Sequence, residues 1–219
     1  MARRTNEDAA ETRSRLLGAA ERLFSEKGVS RTSLNDIAIA AGTTRGAIYW
    51  HFKDKADLFN AMMERVTLPL ESALCRVGVE EGADPLDEIT AAMVNAMYMT
   101  VNDAQVRRVF DVAIHKVEYV DELLAVKQRH LSVRNNCLLQ LQDGLYRAAQ
   151  YHGVVLPLPA DVAAQGLHAI VSGLLQNWLL DPAEFDLVAT GQAAMGTYLA
   201  GLGFAKRSKQ PVLSRKAPQ

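Results

Sequence analysis

The sequence predicts an all-α protein: an N-terminal three-helix domain with a helix-turn-helix, followed by a helical body, about nine helices in total. Three observations predict it. Apolar residues recur at helical spacing along nearly the whole chain, no hairpin signal occurs, and Ser, Thr or Asp precedes most periodic segments, where helices are capped. With 219 residues, 49% hydrophobic and 22% charged, the chain suits one large domain or two that share a core. Disordered and fibrous compositions are excluded.

The first helix is expected from about Glu7 to Lys27, with Asn6 as cap, Glu7 and Asp8 at the positive end of its dipole and Gly28 as the left-handed stop. Leu16, Leu17, Ala20, Leu23 and Phe24 form its apolar stripe. A short helix follows Ser33, with Asp36 three residues on in a capping-box variant, and ends at Gly42. Thr43 and Thr44 open another short helix that finishes near Phe52. Asp54, with Asp57 at the third position, caps a longer helix that runs to about Gly78 and meets a helix breaker at Pro69.

The segment VEEGADP reads as a loop, and Asp84-Pro85 restarts a helix with cap and proline in the favoured order. Further helices are expected over about 86–101, 103–115, 119–152, 160–180 and 184–204. Gly153, Pro157 and Pro159 stop the long one, and Asp181-Pro182 separates the last two. The basic, proline-containing tail 206–219 reads as disordered.

Charge divides the chain as the elements do. Residues 1–55, the expected N-terminal domain, carry 10 Lys+Arg against 7 Asp+Glu; residues 56–205 carry 9 against 18, and residues 206–219 carry 5 against none. An anionic partner is therefore met by the first segment and the tail, not by the body. Cys75 and Cys137 have no partner at metal-site spacing, and the N-terminus lacks the apolar run of a signal peptide, so the cytoplasm is the expected compartment.

The most informative segment is 33–58, SLNDIAIAAGTTRGAIYWHFKDKADL. Two helices of about two turns around a tight turn at Gly42 match a helix-turn-helix, whose second helix must be short, slim and exposed to enter a major groove. Ala38, Ala41 and Ala47 are small enough for the helices to cross closely, and Ile37 and Ile48 pack toward Leu16, Leu23 and Phe24. Thr43, Thr44, Arg45, Tyr49 and His51 remain outward, with chemistry that suits phosphates and base edges. Trp50 and Phe52 are open between core and contact surface.

The run TRGAIYWHFKDKADLF, residues 44–59, resembles the recognition helix and following helix start of the TetR/AcrR family of bacterial repressors, especially the branch that controls multidrug efflux pumps. The opening MARRTNEDAAETRSRLLGAAERLFSEKGVSRTSL is similar to that branch, and RRVFDVAIHKVEY and GLLQNWLLDPAEFDL agree further on. The resemblance implies that Arg45 donates two hydrogen bonds to guanine and that Gly46 permits close backbone approach to base edges. It implies phosphate contacts by Thr44, Tyr49, His51 and Lys55, the last with the amides after Asp54, and by Thr32 and Ser33 at the preceding helix. It also implies a homodimer on a pseudo-palindromic double-stranded operator, released by an amphipathic small molecule. No cofactor is expected.

In the body, Val162 to Leu180 contains no charge over 19 positions. Gln165, His168, Ser172, Gln176 and Asn177 argue against a membrane span, so this helix is expected to be buried on most sides. Gly166 and Gly173 admit a close neighbour, and Gly191, Met195, Tyr198 and Leu202 form a matching stripe on the last helix. Together with their copies in a second subunit they suggest a four-helix bundle. His168, Ser172 and Gln176 form a polar ladder, read either as handles in a ligand pocket or as a dimer seam.

Met93, Met97, Phe110, Ile114, Val133, Cys137 and Leu141 are the other pocket candidates, each also readable as plain core. A ligand wedged between Met62 or Val66 and the body helices would tilt the helix that begins at Asp54. The acidic body makes cationic amphipathic drugs or dyes the first candidates, with planar phenolic compounds suited to a neutral aromatic pocket. His115 with Asp111 or Glu118 has metal-like spacing but no second pair, and GxSxG, GxxxxGK, HExxH and CxxC are absent, so neither a metal nor a catalytic residue is expected. The rival reading is an all-helical enzyme or an adaptor whose first 60 residues bind a protein.

Overall fold

Helix boundaries fall where a side chain can satisfy the free amides of a first turn, and that rule positions most elements here. The structure is a computed structural model that describes residues 2–75, 77, 82–118 and 120–204, apart from the side chains of residues 2–6, 70, 71, 73–75 and 122. Among the described residues there are nine α-helices, one short 3-10 turn and no strand. The expected helix end near Gly78, part of the VEEGADP loop and the expected disordered tail lie outside them.

Helix α1 spans Ala2–Lys27, so Asn6 lies within it rather than capping it. Nothing in the preceding residues breaks helical geometry, because Ala and Arg are good helix formers. Gly28 ends α1 at φ +83°. Helix α2 (Leu34–Ala40) is capped by Ser33 and α3 (Arg45–His51) by Thr44. Gly42, between them, adopts φ +66°, a conformation that favours glycine. Helix α4 (Lys55–Cys75) continues through Pro69, which removes one helical hydrogen bond.

Helices α5 (Pro85–Asn102) and α6 (Ala104–His115) meet at Asp103. Its N–H donates to Met99 O while its carboxylate accepts from the amides of Gln105 and Val106, so one residue ends α5 and starts α6. The long helix expected from 119 is divided into a 3-10 turn at Asp121–Leu123 and α7 (Leu124–His152). Helix α8 spans Ala160–Leu180. Helix α9 covers Leu187–Gly201 instead of 184–204, because Asp186 is the capping residue and accepts from Ala189 N at 2.9 Å.

Two apolar cores fill the molecule. The first joins Leu16 and Phe24 of α1, Ile37 of α2 and Ile48 of α3 to Leu58 and Met62 of α4, Val109 and Val112 of α6, and Val126 of α7. The second joins Ile89 and Met97 of α5, Leu141 and Leu145 of α7, Leu167 and Trp178 of α8, and Met195 and Leu199 of α9. Helix α7 contributes to both. Helices α8 and α9 approach closely at Gly166, where a Cβ would lie 2.7 Å from Tyr198 Cζ, and the Tyr198 hydroxyl donates to Ala163 O at 3.0 Å. Any larger residue at position 166 must displace that ring. No helix among the described residues is long and apolar enough to cross a membrane.

Candidate nucleic-acid interface and cavity

The recognition helix α3 rests on Ile48, fully buried, while Thr44, Arg45, Gly46, Tyr49 and Trp50 are exposed. Thr44 caps it, accepting from Ala47 N at 3.2 Å. The Arg45 guanidinium lies 5.7 Å from the Tyr49 ring centroid, an arrangement that orders both side chains on one face. A Cβ on Gly46 would meet only Thr44 Oγ1, at 3.8 Å. Packing within the chain therefore does not require glycine there, and a helical glycine costs roughly 1 kcal/mol relative to alanine. Its use is external: backbone at this point is open to a close visitor.

Trp50, 73% exposed, belongs to this face, whereas Phe52 is buried beneath the Arg13 guanidinium. The signal for Trp50 was its adjacency to Tyr49 on a helix too short for periodicity to orient. The Trp50 ring packs edge-on against His51, 4.6 Å between centroids. Partial burial, aided by Arg13, holds the His51 imidazole below its ordinary pKa, so the ring is neutral near pH 7. Thr43 is half-buried at the turn, its amide donating to Ala38 O.

Three expected contacts have other geometry. Thr32 is 1% exposed and its hydroxyl donates to Gly28 O at 2.8 Å, so it faces the core rather than a phosphate. Lys55 Nζ donates to Ser30 O at 3.2 Å. The start of α4 is closed by a reciprocal cap, in which Asp57 N donates to Asp54 Oδ1 and Lys53 N to Asp57 Oδ2, and two carboxylates there oppose an anion. Ser33 is exposed but bound to Asp36 in a complete capping box: Asp36 N donates to Ser33 Oγ, and Ser33 N and Oγ donate to Asp36 Oδ2. Those hydrogen bonds hold the Asp36 carboxyl below its usual range.

One buried carboxylate ties the interface to the body. Glu21 of α1, 4% exposed, accepts from Gln105 Nε2 of α6 at 2.7 Å and from Arg65 Nη1 of α4 at 3.4 Å. At the other end of α6, Lys116 O accepts from Val29 N at 3.1 Å. Helix α6 is therefore fastened to the N-terminal helices at both ends.

The body holds a small, partly enclosed cavity of about 50 Å³ between α4, α6 and α7. Phe59, Asn60, Met63 and Thr67 of α4 line it, with Ala113 of α6 and Val126, Arg129, His130 and Val133 of α7. Asn60 Oδ1 and Thr67 Oγ1 are buried there without a hydrogen-bond partner. Of the expected ligand residues only Val133 lines this cavity. Met62 and Val66 are buried in the first core; Met93, Met97 and Leu141 are buried in the second, with Cys137 against it. Phe110 packs against the first core, and Ile114 is half-buried. His168 and Ser172 are half-buried and Gln176 exposed; the Ser172 hydroxyl donates to His168 O at 2.7 Å, so that hydroxyl is satisfied within α8 itself. A larger open groove of about 500 Å³ between α7 and α8 is lined by none of these residues.

His115 Nδ1 lies 3.0 Å from Asp111 Oδ1, and no group of three or more His, Cys, Asp or Glu that could hold a metal occurs among the described residues. His130 of α7 and His168 of α8 are held below their ordinary pKa by partial burial first, then by Arg134, and for His168 also by His130. Unfolding restores the ordinary value of 6.5, so the unfolded chain binds more protons as pH falls below it. The stability supplied by the neutral rings is present above pH 6.5 and is lost on acidification. Thermal unfolding midpoints should fall between pH 7.5 and 5.5, and His168→Gln should flatten part of that slope; a midpoint that rises on acidification contradicts this reading.

The class follows from this architecture: a helical transcription regulator in which a helix-turn-helix is mounted on a helical body. Residues 16–62 match the bacterial regulatory proteins of the tetR family, and residues 84–204 match the C-terminal region of MAATS-type transcriptional repressors. The chain belongs to the TetR family. It is 39% identical to the HTH-type transcriptional regulator AcrR of Shigella flexneri over 191 residues, covering 85% of this chain and 87% of that protein. It is 37% identical to the HTH-type transcriptional regulator TtgR of Pseudomonas putida, covering 86% and 90%. Among solved structures, NalD of Pseudomonas aeruginosa, described as the secondary repressor of the MexAB-OprM multidrug efflux pump, superposes with a TM-score of 0.81 at 34% identity, covering 89% of this chain and 97% of that one.

Proposed function

We propose that this protein is a cytoplasmic, homodimeric repressor of a multidrug efflux operon, bound to a pseudo-palindromic operator and released by an amphipathic small molecule. The exposed face of α3 carries the reading: Arg45, Tyr49 and Trp50 share the helix with a glycine whose open side no described residue fills. Relatives named as regulators, and NalD as an efflux-pump repressor, support the operon class. Helices α8 and α9, held together at Gly166, supply the dimer face.

Release follows from cavity size. A drug-sized ligand needs roughly 300 Å³ or more, and the cavity is about 50 Å³, so a ligand has to widen it by moving α4 away from α7. Helix α4, about 32 Å long at 1.5 Å per residue, carries that displacement to the N-terminal helices. The Glu21 junction passes it on through α1 and α6. Two recognition helices whose spacing changes lose both half-sites together.

Gel shifts with the gene's own upstream region test the reading. Arg45→Ala should cost about 1 to 3 kcal/mol and relax discrimination at one base pair, while exposed Lys53→Ala should weaken all sequences alike and lower the salt slope by about 1. Absence of any specific shift at low salt favours an enzyme or adaptor instead.

A further inference from the structure

The acidity of the body as a whole favours a cationic ligand, but the cavity has the opposite character. Every charge or potential charge on its lining belongs to Arg129 and His130, and no carboxylate lines it. Among the described side chains, Glu64 Oε1 lies 3.6 Å from Arg129 Nε while the Glu64 side chain remains 45% exposed. At contact distance this local guanidinium outweighs acidic groups spread over the surface, which salt screens beyond about 8 Å. Thr67 is 8% exposed and its hydroxyl has no partner, as is true of Asn60 Oδ1, so α4 offers polar atoms that call for a ligand's own.

We propose that the cavity takes an aromatic amphiphile carrying one negative charge, whose anionic end displaces Glu64 from Arg129 and thereby unclasps α4 from α7. Glu64 stands on α4 and Arg129 on α7, so their ion pair bridges the two helices that must part. The aromatic body lies against Phe59, Met63, Val126 and Val133, and its polar substituents meet Asn60 and Thr67. His130, kept neutral by partial burial and by Arg134, adds a hydrogen bond at the mouth without demanding a charge of its own. No bond is made or broken. The ligand's charge replaces that of Glu64 beside Arg129, and Glu64 turns to solvent.

This inference rests on the repressor reading for its regulatory consequence, but binding is measured on the free full-length protein. Three probes share one ring system: naphthalene carboxylate, naphthylmethylammonium and naphthol. Calorimetric titration should show the carboxylate binding about tenfold or more tighter than the ammonium, the scale of a charge-assisted hydrogen bond. Glu64→Gln should tighten carboxylate binding about two- to fivefold, since an exposed competing ion pair is weak. Arg129→Gln should erase the preference for the carboxylate while naphthol still binds, and Arg129→Lys should restore part of it. Tighter or equal binding of the ammonium overturns the proposal, as does an unchanged carboxylate affinity in Glu64→Gln, a surface change that leaves the core intact. A carboxylate preference in a protein that shifts no operator supports the site and removes the repressor reading, so the two fail separately.

Discussion

Phe24→Ala should lose about 3 to 5 kcal/mol of folding stability, among the largest effects expected of a single substitution here. Phe24 is fully buried on α1, and its ring centroid lies 6.0 Å from that of Phe59 on α4. Truncation opens a cavity between the helix that supports α3 and the helix that leads into the body. Neighbours can refill it only by shifting α1 against α4, which moves the recognition helix. For a chain of this size, the loss corresponds to a fall in melting temperature of roughly 6 to 20 °C, readable by calorimetry. Operator affinity should fall in the same variant at temperatures where it remains folded. A melting temperature within a degree or so of the parent would mean that α1 and α4 do not depend on this contact.

The second large effect lies in the other core. Trp178 of α8 is 4% exposed, with the Arg107 guanidinium 5.1 Å from its ring centroid. Arg107 also donates to Thr100 O at 3.2 Å and to Val101 O, so one side chain joins the end of α5, the start of α6 and the face of α8. Trp178→Ala removes the largest aromatic body in that core and the surface on which Arg107 rests, at a cost of about 3 to 5 kcal/mol. Its functional signature should differ from that of Phe24→Ala. With α8 in the proposed dimer face, sedimentation should show easier dissociation, whereas the base preference of α3 should persist at protein concentrations high enough to restore the dimer. Loss of base preference with the dimer intact would show that the second core does not act through α8.

Much of this architecture is legible from local chemistry. Ser33, Thr44 and Asp84 are capping residues whose oxygen atoms bond first-turn amides, and Gly28, Gly42 and Gly153 have the positive φ that their places at helix ends require. These signals depend on a few neighbouring residues. The cavity depends on which side of one helix meets another: on α4, Met63 and Thr67 line it, while the adjacent Met62 and Val66 pack into the first core. One residue rotates a helix face by about 100°, enough to exchange a cavity wall for core. The hydrogen bonds of Thr32 and Lys55 within the protein were illegible for a related reason. Hydroxyl and ammonium groups near a nucleic-acid face bond to protein carbonyls when those lie within reach, and Gly28 O and Ser30 O are brought there only by the fold. The polar pair Asn60 and Thr67 did carry a signal, being seven residues apart on one face of α4.

The first core does not stop where the helix-turn-helix stops. Val106, Val109 and Val112 of α6 and Val126 of α7 belong to the same apolar body as Ile37 and Ile48, although more than 50 residues of chain intervene. A hybrid regulator made by joining residues 1–55 to the body of a distant relative would therefore inherit half of a core and a foreign complement to it. Portability of the DNA-reading part is set by the inner face of α6, and a working graft has to carry those valines, together with Gln105 for Glu21, along with the recognition helix.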